Sequence, residues 1–400
     1  MRNFNKGINQ DIIQEMNRSL LIHLLRREGI CSRVHLANLT NLKQATVTNI
    51  MNDFIRWHLV KEVGFLSGNK GRRSIGIEVN TDTYRVIGVR LARKYFSVGI
   101  FDLTGKVHCQ VKRTITREVV PEKIFGQMMQ EIENMIVKEQ EKKVLAIGVS
   151  LPGPFIKKEG RIALMTEVSG WNDIQIEKQL EERFHLPIVL EQDANAAVLA
   201  QLWHNEEVDQ DDMVVYVAAG QGIGAGILVN GEILRGTMGI AGEIGHTSIE
   251  HEGIVCACGN KGCLEQYCSS IAFTKAVNQR LKLDTPIEFE KICRMLDGGD
   301  KICLEEYKKA GYYLGIGVVN LVNSLNPSTI ILGDEMSHVN SEILYQIVDE
   351  TIRERVLPQI YENLKICISN TPKDSCFHGA AIVAIEEIFS HPAKYVMETL

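Results

Sequence analysis

The first part of the chain carries apolar residues at helical spacing, and the pattern predicts three short helices. The first spans residues 17–27. Gly29 stops it, because glycine tolerates the backbone conformations that follow the end of a helix. Ser32 is a suitable N-cap for the second helix, and residues 40–42 form a short turn after it. The third helix spans residues 43–57. The apolar positions are Leu20, Leu21, Leu24 and Leu25 in the first helix, Val34, Leu36, Ala37 and Leu39 in the second, and Val47, Ile50, Met51, Phe54 and Ile55 in the third.

The other face of the third helix is polar and carries side chains that can contact base edges in a DNA major groove. Two strands are predicted after it, at residues 59–65 and 74–79, around a basic, glycine-containing loop at residues 66–73. Such a loop is typical of a wing that contacts phosphates or the minor groove. We therefore predict that residues 1–82 form an α+β winged helix-turn-helix that binds double-stranded DNA. The predicted DNA contacts are Lys43, Gln44, Thr46, Thr48, Asn49, Lys70, Arg72 and Arg73.

From residue 83 onward the pattern changes to strands that alternate with helices. Apolar, β-branched runs predict strands at residues 86–90, 96–101, 144–150, 188–191, 213–219, 226–229 and 329–332, and a helix at 194–202. Mixed hairpins together with strand–helix alternation indicate α/β lobes with a cleft between them. Residues 83–400 are predicted to form this second domain, with lobes at about 83–193 and 194–400.

Charge is distributed unevenly between the two predicted domains. The whole chain has a net charge of -6, but residues 1–80 carry twelve lysines or arginines against six acids, so the remainder has a net charge of −12. A small basic domain joined to a large acidic one is typical of a nucleic-acid-binding protein with a second function. The alternative is a basic surface that is merely solvated.

The composition also bears on the compartment. No apolar run is long enough for a membrane span, and the N-terminus lacks the apolar stretch of a signal peptide, so we expect a cytoplasmic protein with no membrane contact. In a cytosolic chain of this size, the clustering of three of the ten cysteines favours metal binding over disulfides. Six others are interpreted as buried small hydrophobes: Cys31, Cys109, Cys293, Cys303, Cys367 and Cys376.

One segment combines a histidine with the three clustered cysteines: His246, Cys256, Cys258 and Cys263. One imidazole and three thiolates complete a closed tetrahedral shell for Zn²⁺ and leave no position for a catalytic water. We therefore predict a structural zinc site. The alternatives are a reducible disulfide or free buried thiols. Cys268 lies close in sequence, but its spacing fits the site less well.

At these residues the chain resembles the ROK family, which groups sugar-responsive repressors with bacterial sugar kinases, and within it the xylose-repressor type. The resemblance covers nearly the whole chain and implies an actin-like, ribonuclease-H-like body of two lobes. The motifs that carry it are Asn-Arg-Ser-Leu at 17–20, Gly71-Arg72-Arg73, Leu-Pro-Gly-Pro at 151–154, Gly170-Trp171, Glu-Gln-Asp-Ala-Asn-Ala-Ala at 191–197, the glycine loop at 220–226, the histidine–cysteine segment, Asn-Leu-Val-Asn at 320–323 and Asn326-Pro327.

The resemblance implies that five side chains contact a sugar: Gln192, Asp193, Glu243, His246 and Glu265. Carboxylates accept hydrogen bonds from sugar hydroxyls, which supports this assignment chemically. His246 can bind zinc through one ring nitrogen and present the other to a hydroxyl. Gln192 stands where the family usually has asparagine, so the preferred sugar does not follow from the resemblance. Solvated surface charges are the alternative interpretation of Glu243 and Glu265.

The phosphate-binding turns decide whether kinase activity is expected. The kinases of the family have Asp-x-Gly-Gly-Thr in the first turn, where glycines let the backbone approach ATP and the acid helps to hold Mg²⁺. Here residues 90–94 read Arg-Leu-Ala-Arg-Lys. Gln221 replaces a threonine in the second turn, and Asp334 replaces a glycine expected near the adenosine. Asp193 matches the kinase general base, but as a hydroxyl acceptor it is useful without catalysis. We therefore expect no enzyme activity.

The sequence leaves three functional hypotheses open. The first is a repressor that binds an inverted-repeat operator as a homodimer or a dimer of dimers and is released by a small sugar, either xylose or another free or phosphorylated sugar. The second is a sugar kinase that carries a DNA-binding domain. The third is constitutive DNA binding with a sensor pocket that has lost its ligand.

Overall fold

The computed structural model describes residues 9–66, 74–116, 119–156, 159–162, 170–205, 212–369 and 374–397. The elements of the N-terminal module are α1 (Gln10–Glu28), β1 (Cys31–Ser32), α2 (Arg33–Thr40), α3 (Gln44–Arg56), β2 (Val60–Leu66) and β3 (Ser74–Val79). The strands form an antiparallel sheet in the order β1-β3-β2, which confirms the winged helix-turn-helix. Three predicted wing contacts, Lys70, Arg72 and Arg73, lie outside the described residues.

The boundaries of the first elements follow from their caps. The Ser32 hydroxyl accepts a hydrogen bond from the His35 amide at 3.1 Å and begins α2, as predicted. Helix α1 begins seven residues before its predicted start, because the Asn9 side chain caps it by accepting from the Ile12 amide. In these additional turns the apolar residues Ile12 and Met16 are exposed. The turns therefore have no buried apolar face from which the sequence could predict them. Three apolar positions of the predicted helices are also exposed: Leu20, Val34 and Leu39.

The first lobe contains a five-stranded sheet with helices beside it. Its elements are β4 (Tyr84–Leu91), β5 (Tyr95–Phe101), β6 (Val107–Thr114), α4 (Pro121–Lys138), β7 (Lys143–Leu151), β8 (Phe155–Ile156), β9 (Arg161–Ile162), α5 (Ile176–Phe184) and β10 (Ile188–Gln192). The sheet order is β10-β7-β4-β5-β6. Strands β4, β5 and β6 are antiparallel neighbours, whereas β7 and β10 extend the sheet in parallel.

The second lobe repeats this topology. The remaining elements are α6 (Asp193–His204), β11 (Met213–Ala219), β12 (Ile223–Val229), β13 (Glu232–Ile233), α7 (Glu265–Cys268), α8 (Ser270–Leu281), α9 (Phe289–Asp297), α10 (Lys301–Leu325), β14 (Thr329–Gly333), α11 (Glu335–Val339), α12 (Ser341–Arg355), α13 (Pro358–Tyr361), β15 (Lys365–Ile368), α14 (Ser375–Ser390) and α15 (Pro392–Met397). The order β13-β12-β11-β14-β15 has the same antiparallel hairpins and parallel extensions as the first sheet. Two such sheets in one chain confirm the actin-like, ribonuclease-H-like body.

Helices α6 and α14 lie between the two sheets. Helix α14 packs on β4 and β7, α6 packs on β11 and β12, and the two helices pack on each other. A Cβ atom at Gly379 of α14 would lie 2.1 Å from the carbonyl oxygen of Ala196, so only glycine permits this approach to α6. The sequence predicts residues 194–400 as the second lobe, yet α14 covers the first sheet. Because α14 is buried on nearly all sides, its apolar pattern does not indicate which sheet it contacts.

The N-terminal module is not separated from the body by a gap in the core. A continuous hydrophobic cluster runs from Leu21 and Leu25 of α1 to Trp203 of α6 and Phe389 of α14. Apolar burial of this kind couples the two parts, so a change in the body can be transmitted to the module. No described helix combines the length and apolar character that a membrane span requires.

Candidate functional site

A cleft lies between the two lobes, beside the start of α6. The ends of β4, β7, β10, β11 and β14 converge on it, which is the usual position for a ligand in an open α/β sheet. All five residues that the sequence predicts as sugar contacts line this cleft: Gln192, Asp193, Glu243, His246 and Glu265.

Asp193 is the first residue of α6 and follows directly on β10. Its Oδ1 atom accepts a hydrogen bond from the Ala194 amide at 2.7 Å, which fixes the carboxyl group at the floor of the cleft. Burial raises the pKa of Asp193 to about 6; the positive charge of Arg90 opposes this shift and the negative charge of Asp334 adds to it. Asp193 is therefore a desolvated acceptor, and burial makes its charged form unfavourable.

Gln192 and Glu243 join the two lobes across the cleft. The Gln192 side-chain amide donates to Glu243 Oε1 at 2.7 Å, whereas Gln192 Oε1 is buried and accepts no hydrogen bond within the described part of the chain. Burial, and then the negative charges of Asp193 and Glu265, raise the pKa of Glu243 to about 8. A Cβ atom at Gly153 would lie 2.3 Å from Glu243 Oε1, so a side chain at this position would displace the Glu243 carboxyl group.

Arg90 lies near the end of β4 and lines the cleft. Its guanidinium group is buried and contacts Asp334 Oδ2 at 2.8 Å and Asp374 Oδ1 at 2.6 Å. These partners precede α11 and α14, so one side chain ties β4 to two helix starts. Hydrogen-bonded arginine–carboxylate contacts of this length are the strong kind of ion pair. The sequence identifies Arg90 and Asp334 as separate departures from the kinase pattern but misses that they form one ion pair.

Arg93 joins the turns of the two lobes directly. Its guanidinium group donates to Glu265 Oε2 at 2.8 Å and to the Gln221 carbonyl oxygen at 2.9 Å. The Lys94 amide donates to Gln221 Oε1, also at 2.9 Å, so the turn after β4 contacts the turn after β11. Hydrogen bonds to Gln221 therefore join the turn after β4 to the turn after β11.

The four predicted metal ligands come together beside the cleft. Their ligand atoms all lie within 4.8 Å of one another. His246 Nδ1 is 3.7 Å from Cys256 Sγ, and Cys258 Sγ is 3.7 Å from Cys263 Sγ. Zn–S bonds of about 2.3 Å at a tetrahedral angle place two sulfur atoms about 3.8 Å apart, so this group has the size of a metal site. Within the described part of the chain, these four residues form a group that could hold a metal ion. Cys268 does not belong to this group.

Backbone turns hold the four ligands in place. Gly262 has a φ of +69°, and a Cβ atom there would lie 1.7 Å from the Glu250 carbonyl oxygen, so only glycine allows the chain to return at this position. The Asn260 side chain donates to the His246 carbonyl oxygen at 3.1 Å. His246 Nε2 points away from the cysteines and lies 4.0 Å from Glu243 Oε2. The His246 imidazole therefore lies between the three cysteines and the cleft.

The polar face of α3 is exposed, as the sequence predicts for a DNA-reading helix. Lys43, Gln44 and Asn49 are exposed, and Thr46 and Thr48 are half-buried. The opposite face packs in the core of the module: Val47, Ile50, Met51 and Phe54 are at most 3% exposed.

The sequence matches the ROK family over residues 86–387. The xylose repressor of Caldicellulosiruptor bescii is 29% identical over 397 residues, which cover 96% of this chain and 99% of that protein. The crystal structure of a ROK family transcriptional regulator, a homologue of the E. coli MLC protein, has a TM-score of 0.80 and 28% identity over 96% of this chain and 99% of that one. A ROK hexokinase from Thermus thermophilus has a TM-score of 0.61 and 28% identity over 76% of this chain and 99% of that one. The family match spans about three quarters of the sequence, and the chain therefore belongs to the ROK family.

Proposed function

We propose that this chain is a sugar-responsive DNA-binding transcriptional repressor of carbohydrate-metabolism genes, released from its operator when a sugar binds. One observation carries the proposal: a winged helix-turn-helix shares its hydrophobic core with a body whose cleft is lined by carboxylates. Such a protein has a DNA-reading end and a ligand-binding end in one unit. The similarity to a xylose repressor over nearly the whole chain supports the same function.

The proposed effector is a free sugar such as xylose rather than a sugar phosphate. Asp193, Glu243 and Glu265 offer oxygen atoms to sugar hydroxyls, and Gln192 Oε1 is a further buried acceptor. Both arginines that line the cleft are already paired with carboxylates. A phosphate group would therefore meet more negative than positive charge, whereas neutral hydroxyls satisfy the acceptors.

The alternative is a sugar kinase that carries a DNA-binding domain. Phosphoryl transfer requires backbone amides and a metal around the ATP phosphates. Here Arg90 and Arg93 occupy the first phosphate turn and contact groups of the second lobe. Asp193 keeps the position of the kinase base, but it serves equally as an acceptor for a bound hydroxyl. We propose that the nucleotide part of the cleft has become a connection between the lobes.

The metal that fits the histidine–cysteine cluster best is Zn²⁺, because one nitrogen and three sulfur ligands suit its tetrahedral preference. Its proposed role is structural, since four protein ligands fill the shell. His246, Cys256, Cys258 and Cys263 would hold it, and the metal would fix the His246 ring. Nε2 of that ring is then available to a sugar hydroxyl next to Glu243.

The DNA partner we propose is an inverted repeat bound by a two-fold homodimer or a dimer of dimers. Residues Lys43, Gln44, Thr46, Thr48 and Asn49 would contact it in the major groove. The wing residues Lys70, Arg72 and Arg73 would contact phosphates. The supporting observation is the exposed polar face of α3 in a module of net charge +6.

A thermal-shift screen with D-xylose, D-glucose, N-acetyl-D-glucosamine and their phosphate esters tests this function. A ligand at 100 times its Kd adds about 2.7 kcal/mol, so a free sugar should raise Tm by several degrees. The phosphate esters should not raise it. The same protein should select an inverted repeat from a pool of random DNA.

Coupled ATP consumption with the sugar that binds separates the two hypotheses. We expect turnover at background. A sugar-dependent rate near about 1–10³ per second would show that the chain is a kinase. If no sugar shifts Tm while DNA is still selected, constitutive DNA binding replaces the proposal.

A further inference from the structure

Helix α6 reaches from the cleft to the DNA-binding module. Its first residue is Asp193 and its last turn contains Trp203, so the helix spans about 18 Å at 1.5 Å per residue. The far end lies against α1, the first helix of the module. A displacement of Asp193 along the helix axis therefore moves the surface on which α1 rests.

The contact between α1 and α6 is specific rather than only apolar. The Arg26 guanidinium group lies 3.9 Å from the centre of the Trp203 ring and donates to the Trp203 carbonyl oxygen at 3.3 Å. The Trp203 indole N–H donates to Glu386 Oε1 of α14, and Glu386 Oε2 lies 3.7 Å from His23 Nε2 of α1. Trp203 also stacks on Phe389. One tryptophan thus connects three helices.

Helices α6 and α14 pack rigidly enough to carry such a displacement. At Gly379 their backbones are too close for any side chain larger than hydrogen. The buried Gln201 side chain of α6 donates to Ser375 Oγ at 3.0 Å and to Ser369 Oγ at 2.8 Å. Close-packed interiors shift as units because they have no free volume to absorb a movement. The α6–α14 pair therefore transmits a displacement at one end of α6 to the other end as a unit.

A second attachment of the module gives this movement a pivot. The Tyr84 hydroxyl at the start of β4 donates to the Trp57 carbonyl oxygen at 2.8 Å, and Asn80 donates to the His58 carbonyl oxygen at 2.9 Å. The Tyr84 bond fixes the end of α3 to the first sheet, and the Asn80 bond holds the segment that precedes β4 against the end of α3. The module therefore rests on the body at two places, the Trp203 end of α6 and the start of β4, and a shift of the Trp203 side chain relative to Tyr84 would tilt it.

We propose that the contact of Arg26 with Trp203 transmits sugar binding from Asp193 to the DNA-binding module, with Glu386 as the residue that positions the indole. This inference rests on the proposed function. Within the module, Arg18 of α1 contacts Asp53 of α3 at 3.0 Å, so a tilt of α1 carries the recognition helix with it. Arg26 and Trp203 are positioning residues, since neither lines the cleft nor lies on the polar face of α3.

The test compares Arg26→Met with Arg27→Met in the full chain. Arg27 is the next residue of α1, and its side chain is 52% exposed and pairs only with its neighbour Glu28 among the described ion pairs. Both variants remove one positive charge from the same helix, and any effect of that charge on DNA affinity cancels when one variant is compared with and without sugar. The quantity measured is the ratio of operator Kd with and without saturating sugar. The sugar is the one with the largest thermal shift among D-xylose, D-glucose and N-acetyl-D-glucosamine, and the operator is the DNA that the wild type selects.

We expect a ratio of at least about fivefold in the wild type and in Arg27→Met, and below about twofold in Arg26→Met. Glu386→Met, which keeps the length of the side chain but removes the acceptor of the indole N–H, should also lower the ratio and serves if Arg26→Met does not fold. A merely structural role would lower Tm and leave the ratio unchanged. That result, with a normal ratio in the wild type, would overturn this inference and leave the proposed function intact. A ratio of one in the wild type would overturn the proposed function, and the inference with it.

Discussion

Replacing Asp193 by asparagine should stabilise the sugar-free protein above pH 7 while it weakens sugar binding. The carboxyl group lies at the start of α6, where burial is the main cause of its raised pKa. Asparagine has nearly the same shape, and its Oδ1 atom can still accept the hydrogen bond from the Ala194 amide. The substitution therefore removes the charge and keeps the local geometry.

The magnitude follows from the pKa shift. A pKa of about 6 in the folded state against an ordinary value of 3.8 corresponds to roughly 3 kcal/mol at 1.36 kcal/mol per unit. One side of Asp193 is open to the cleft, where water offsets part of this cost, so we expect about 1–2 kcal/mol. Below pH 4 the carboxyl group is largely protonated in both the folded and the unfolded state, so it does not lower the free energy of unfolding. The cost grows as pH rises from about 4 to 6 and is complete by pH 7.

Urea denaturation at pH 5 and pH 8 measures the difference between Asp193→Asn and the wild type. Groups that titrate equally in both proteins cancel in this difference. The free energy of unfolding of Asp193→Asn should exceed that of the wild type by more at pH 8 than at pH 5. In the same buffers, calorimetry should find sugar affinity lowered about 10–100-fold, because a charged acceptor is worth about 1.5–3 kcal/mol.

A stability difference that is independent of pH would refute the argument, since it would mean that the Asp193 charge costs nothing in the folded protein. Unchanged sugar affinity with the expected stability gain would have a different meaning. It would show that the desolvated carboxyl group is not a sugar contact, and the assignment of the cleft would then have to rest on Glu243 and Glu265.

Three further predictions concern other parts of the molecule. Cys258→Ser should reduce bound zinc below one per chain in elemental analysis, whereas Cys268→Ser, outside the cluster, should keep it; full metal content in the first variant would exclude the ligand set. Arg90→Met leaves two carboxylates without their cation and should cost about 3–5 kcal/mol in denaturant unfolding, and a loss below about 1 kcal/mol would contradict the ion-pair account. Gln44→Ala should change the DNA sequence that is selected rather than lower affinity on all sequences, and an unchanged preference would remove it from the interface.

Local features of the fold and site were predictable from the sequence because they depend on short spacings. The three clustered cysteines and His246 fall within eighteen residues, so the sequence alone shows both the metal-binding side chains and the glycine turns between them. Helix α3 has one strongly apolar face, and its buried and exposed sides follow directly. Strand β1 has only two residues, which is too short for any periodicity, and its pairing with β3 was not predictable.

Long-range contacts were not predictable in the same way. The residues of the Arg90–Asp374 pair are 284 positions apart, and those of the Arg26–Trp203 contact are 177 apart. Each residue taken alone is consistent with a solvated charge or an ordinary core aromatic. Asp374 meets Arg90 because α14, near the end of the chain, packs on the sheet of the first lobe. The apolar pattern of α14 does not indicate which sheet the helix contacts. The connection between the cleft and the DNA-binding module therefore depends on tertiary packing.

Operator affinity measured with and without saturating sugar tests the central claim most directly. The account predicts that saturating sugar weakens operator binding at least about fivefold in the wild type, and that Asp193→Asn needs about 10–100 times more sugar for the same effect. It also predicts that operator DNA weakens sugar binding by the same factor, because the coupling is reciprocal. Equal operator affinity with and without sugar in the wild type, at a concentration where calorimetry shows the cleft to be filled, would contradict the account.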